Sequence, residues 1–101
     1  MVRCVAVRWV SDEPQPGLVE VILTDADGNA WSLIDKSAVF DDANVLGPNA
    51  AYPLPVLVAC NVRERRSDDA GRHLVVIDLL PWGVGEDGAT YVVSEAQLTE
   101  Q

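Results

Sequence analysis

Short runs of Val, Ile, Leu and aromatic residues cover most of the chain, separated by acidic pairs at Asp12-Glu13, Asp25 with Asp27, Asp41-Asp42, Asp68-Asp69 and Glu86-Asp87. Successive side chains on a strand face opposite sides, so short runs bounded by turn-forming residues read as strands and not as helices. Val2 to Val10 is apolar on both faces and predicts a strand covered on both sides. Ser11 to Gly17, with two prolines and a glycine, breaks it. Leu18 to Thr24 then alternates, with Val19, Val21 and Leu23 on one side and Glu20 and Thr24 on the other, as in a half-buried strand.

The sequence Asp25-Ala26-Asp27-Gly28 predicts a tight hairpin turn into Asn29 to Asp35, a strand with Trp31 and Leu33 on one face and Ala30, Ser32 and Ile34 on the other. Asp35 to Pro55 supports two readings. Lys36 to Phe40 extends the strand, with irregular structure after it, or Ser37 caps a short helix that ends near Gly47 and Pro48. The β-branched and aromatic residues Val39 and Phe40 favour the strand. Alternation resumes with Val56, Val58, Cys60 and Val62 on one face, turns at Ser67 to Gly71, and returns through His73, Val75, Ile77 and Leu79 as a second hairpin. Pro81-Trp82-Gly83 breaks the pattern, Glu86-Asp87-Gly88 turns it, and Thr90 to Val93 is the last strand, followed by a helical turn over Ser94 to Leu98.

The expected fold is all-β: a single domain over residues 1–101 with five or six antiparallel strands in a partly open barrel or rolled sheet and at most one short helix. Closing a small sheet on itself is a common way to hide strand edges. With Ser37 to Leu46 helical, the order of three strands, helix and two strands would be OB-like, an analogy at fold level.

Charge narrows the classes of partner. Sixteen acidic against seven basic residues give a net charge of −9, and residues 73–101 carry no Lys or Arg at all. Most of the surface therefore repels phosphate, which disfavours nucleic acid and favours a basic protein. Arg63, Arg65 and Arg66 form the one cationic patch, flanked by Glu64, Asp68 and Asp69, and read as a charge-protected strand edge or an anion site. No apolar run is long enough to span a bilayer and no secretory leader is apparent, so a cytoplasmic protein is the expectation. Cys4 and Cys60 lie within apolar runs and read as core thiols in a reducing compartment.

Candidate chemistry is sparse. Asp25, Asp27 and Asn29 match the start of a calcium loop, but Ala30 and Lys36 stand where such a loop needs Gly and a bidentate acid. His73 with two dispersed cysteines lacks the ligand spacing of zinc, and no cofactor is implied. Gly83 and Gly85 are followed by acids, which suits no phosphate loop. His73 beside Cys60 or Cys4 would make a nucleophile pair, and Asp35 and Asp78, each embedded in an apolar strand, are the carboxylates placed to be desolvated. Without an orienting group, these read as core and strand-end residues.

The leading expectation is a non-enzymatic interaction module, an immunity- or inhibitor-like binder of a basic partner. Its contacts would come from Trp82 and Tyr52, rings in breaker segments, and from Asp25, Asp27, Asp41, Asp42, Glu86 and Asp87 in anionic turns. The alternative is an OB-like binder of a small ligand or single-stranded nucleic acid through Trp82, Tyr52 and the arginine hairpin. Nothing in the pattern selects an oligomeric state.

Overall fold

Turn chemistry sets the first pairing. In the structure, a computed structural model that describes residues 1–15, 17–40, 46–79 and 89–99, the Asp25 side chain accepts from the backbone N–H of Asp27 and of Asn29, both at 2.9 Å. Gly28 supplies the positive φ of 85° that closes the turn. This joins β2 (Leu18–Thr24) to β3 (Ala30–Lys36) in a register that runs from Leu18 opposite Lys36 to Thr24 opposite Ala30. The second hairpin, β5 (Cys60–Ser67) with β6 (His73–Leu79), forms in the same way around Asp68 and Gly71.

With β1 (Val2–Ser11), β4 (Leu54–Val58) and β7 (Tyr91–Ser94), the described residues make seven strands in two antiparallel sheets. One sheet has the order β3-β2-β1-β4, the other β5-β6-β7. The expected single strand from Val56 onward is two: β4 pairs with β1, β5 pairs with β6, and Ala59 alone lies between them. The chain thus passes from one sheet to the other within one residue, which raises the strand count above five or six. A second link comes from the C-terminal segment, where Leu98 bridges to Val2, Thr99 N–H donates to Met1 O at 2.8 Å, and Gln97 Nε2 donates to Thr24 O at 2.6 Å. Among the described residues the strands do not close into a barrel.

One core lies between the sheets. Val2, Cys4 and Ala6 of β1, Val19, Val21 and Leu23 of β2, Leu33 of β3 and Val56 and Val58 of β4 meet Val75, Ile77 and Leu79 of β6 and Tyr91 and Val93 of β7. Each such aliphatic side chain contributes about 1.5–3 kcal/mol relative to exposure. Two expectations fail here. β1 is covered on one face only, since Val5 is 40% exposed, and Trp31, expected inside, is 46% exposed because β3 is the last strand of its sheet. Trp9 is half-buried, its ring resting on Gly17 and its Nε1 donating to Asp12 Oδ1 at 2.8 Å.

β3 stops at Lys36, and Ser37–Phe40 is a single α-helical turn (α1), so the strand extension through Phe40 is not formed. Ser37 N–H donates to Gly17 O, and Ser37 and Phe40 are both buried, which turns the chain inward where an extended path would carry it past the sheet. The final turn forms as expected: a 3-10 turn at Glu95–Gln97 is capped by Ser94, whose N–H donates to Gln97 Oε1 at 2.9 Å.

Candidate interaction surface

Two turns of the same design meet at one end of the molecule. In Asp25–Asn29 and again in Asp68–Arg72, the first Asp takes the N–H groups two and four residues on with Oδ1, and the fourth residue is a glycine with positive φ. In each, the fifth side chain then returns to Oδ2 of the Asp: Asn29 Nδ2 at 3.3 Å and Arg72 Nε at 2.5 Å. The shared Asp-x-x-Gly spacing was visible in the sequence as two separate turns, but not as one repeated device.

Arg72 joins the two. Its Nη1 donates to Ala26 O at 2.9 Å and its Nη2 reaches Asp27 Oδ1 at 3.3 Å, while Ala26 N–H donates to Val92 O of β7 at 2.9 Å. The turns that carry Asp25 and Asp27, and Asp68 and Asp69, are thereby held together by a single guanidinium that pairs with Asp27 and Asp68, four acids against one base, an excess of three negative charges. The hydrogen bond from Trp31 Nε1, helped by those from Asn29 and Asp27, holds the Asp25 carboxyl below its ordinary range. The bond from Arg72 does the same for Asp68 and raises the Arg72 guanidinium in turn. Each of these three shifts favours the charged form of its group.

Trp31 completes the surface. Its Nε1 donates to Asp25 Oδ2 at 3.0 Å and its ring meets Tyr91 edge-on, with centroids 5.7 Å apart and planes at 70°. An aromatic ring that is held in place yet half exposed loses little conformational freedom on binding, the property of an interface anchor. Sequence periodicity gave Trp31 its inward face but not its position at an open edge.

The other nominated residues fall elsewhere. Tyr52 is not a free ring: its hydroxyl donates to Gly47 O at 2.8 Å and accepts from Gly47 N–H at 3.2 Å, and the ring packs on the core. Asp41, Asp42, Trp82, Glu86 and Asp87 lie outside the described residues, as do Gly83 and Gly85. In the arginine patch, Arg63 Nε pairs with Asp78 Oδ2 at 2.7 Å and Arg65 Nη1 with Glu95 Oε1 at 3.0 Å, so the neutralising acids are not the expected Glu64, Asp68 and Asp69. Arg66 has no ion pair among the described residues.

Cys60 and His73 do not meet. Cys60 stands opposite Leu79 and His73 opposite Ser67, at the two ends of the β5–β6 ladder, which spans about 20 Å at ~3.3 Å per residue. Cys60 lies instead near Cys4, whose thiol is pushed up to about 12, chiefly by burial and then by Cys60. Asp35 Oδ1 accepts from Lys36 N–H at 2.7 Å, and Asp78 keeps one oxygen, Oδ1, buried without a partner among the described residues, beside its ion pair to Arg63. Among the described residues, no three His, Cys, Asp or Glu side chains are placed to share a metal ion. No helix of the described residues is long and apolar enough to cross a membrane.

No family model, curated protein or solved structure matches this chain.

Proposed function

We propose that the protein is a non-enzymatic interaction domain, immunity- or inhibitor-like in character, that binds a basic protein partner through the end formed by the two Asp-x-x-Gly turns. The supporting observation is the reach of Arg72 across both turns, which makes one anionic surface of four carboxylates around a fixed, half-exposed Trp31. Carboxylates ordered in this way draw a cationic surface into encounter before short-range contacts form, and the tryptophan supplies apolar area once it arrives. The scaffold reads as an OB-like roll left open between β3 and β7. Binding of single-stranded nucleic acid by the arginine hairpin is the weaker reading, because Asp78 and Glu95 already hold two of its three guanidinium groups.

Affinity capture from a native extract, compared between the wild type and Asp27→Asn/Asp69→Asn, tests the proposal. The substitutions leave the Asp25 and Asp68 hydrogen bonds in place. A basic protein retained at low salt, released at high salt and captured at least fivefold less by the double variant is the expected result. Equal capture by both proteins, or no salt-sensitive partner, would overturn it.

A further inference from the structure

Resting on the basic-partner reading, we propose that the partner contributes an extended basic segment that adds as a strand to the edge of β3, which pairs with no further strand among the described residues. The four sheet edges among the described residues are not alike. β4 carries Pro55 and follows Pro53, β5 carries Arg63, Glu64, Arg65 and Arg66, and β7 is four residues long with its Val92 carbonyl already taken by Ala26. Proline, dense charge and shortness are the usual guards against edge pairing. β3 has none of them over Ala30 to Ile34, five uncharged residues that include Trp31 at 46% and Ile34 at 48% exposure.

The hydrogen-bond phase shows which groups the edge presents. Asp25 N–H donates to Asn29 O at the turn and Ser37 N–H donates to Gly17 O at the far end. Paired and unpaired positions alternate along an antiparallel ladder, so Trp31, Leu33 and Asp35 bond to β2, while the backbone groups of Ala30, Ser32, Ile34 and Lys36 point away from it. Charge selects the occupant. Asp25 and Asp27 flank one end of this edge, Asp35 lies near the other, and Glu20 sits beside Ser32 on the outward face, where Ser32 Oγ donates to it; against these four acids stand Lys36, Arg8, engaged by Glu20 at 2.7 Å, and Arg72, engaged by Asp27 at 3.3 Å, so the acids remain in excess. An extended segment with lysine or arginine at alternate positions satisfies the edge and its acids together.

The test uses the whole chain and two synthetic octapeptides of alternating lysine and valine, one plain and one N-methylated at every second backbone nitrogen, with equal charge. Expected are amide shifts centred on Ser32 and Ile34 with the plain peptide, at least tenfold slower exchange of those amides, and at least tenfold weaker binding of the methylated peptide. Equal binding of both peptides would overturn strand addition while leaving the anionic surface as a binding site. Binding of neither would count against both readings. A dimer of the free protein that protects Ser32 and Ile34 would assign the edge to a second copy and overturn the proposal.

Discussion

Gly17→Ala is the substitution for which the structure makes the sharpest demand. Gly17 has a φ of +122°, its N–H donates to Pro14 O at 2.8 Å and its carbonyl accepts from Ser37, so its backbone is fixed from both sides. A Cβ there would fall far inside the van der Waals contact distance of Trp9 Cζ2 and Cη2, and 3.0 Å from the Ser11 carbonyl oxygen. The disfavoured dihedral costs about 1–3 kcal/mol. Displacing the Trp9 ring, which also loses its bond to Asp12, adds about 1–3 kcal/mol. A total of about 2–6 kcal/mol is a large part of the roughly 5–15 kcal/mol that holds a domain folded. At about 4–8 °C per kcal/mol for this size, the thermal midpoint should fall by on the order of 10–50 °C. Urea unfolding followed by far-UV circular dichroism gives the free energy. A double-mutant cycle with Trp9→Ala then separates the two parts, because without the indole only the dihedral cost remains. A Gly17→Ala protein within about 0.5 kcal/mol of wild type, well below either component, would refute the reasoning.

Other outcomes are as definite. Asp25→Ala strands four donors and should cost about 1–2 kcal/mol, as loss of a cap does, measured by urea unfolding. Because the Asp25 carboxyl is lowered in the folded state, its contribution is full above its unfolded value of about 4 and lost as pH falls through the folded value, so Asp25→Asn should flatten the acid limb of a stability–pH curve. The Cys4 thiol acts in the opposite sense: raised from 9.0 to about 12, it should resist alkylation at pH 8 in the native protein. Above pH 9 the unfolded chain loses a proton that the folded chain keeps, so stability should fall by about 1.4 kcal/mol per pH unit, a slope that Cys4→Ala removes. Ile77→Ala, at a side chain with no exposure, should cost about 2–5 kcal/mol in the same urea assay. Arg72→Gln should shift the urea midpoint little, since its ion pairs are exposed, yet raise backbone mobility at Asp27 and Asp69 in nitrogen-15 relaxation.

Local chemistry was legible in the sequence; the ends of sheets were not. Asp25-Ala26-Asp27-Gly28 and the alternation of Val19, Val21 and Leu23 placed the first hairpin and its buried face, because turn and period act over neighbouring residues. The exposure of Trp31 and of Val5 depends on which strand is outermost and which face lacks a covering layer, and those are decided by pairings far apart in the chain. Ala59 is a similar case: the run from Val56 to Val62 keeps its period through the sheet change, so nothing in the pattern marks it. In the candidate surface, Asp25 and Asp27 were visible as acids, but the Arg72 contact spans 45 residues and recruits Asp68 and Asp69 only through the fold. Tyr52 looked available beside its proline because its bond to Gly47 closes a loop that no periodicity encodes.

The handover at Ala59 carries a mechanical consequence. A pull or a thermal fluctuation that peels β4 from β1 acts one residue away from the β5–β6 ladder, so strain cannot be confined to half of the molecule. Amides of Val58 and Val62 should therefore open in a single event, and a ligand that clamps one sheet should tighten the breathing of the other.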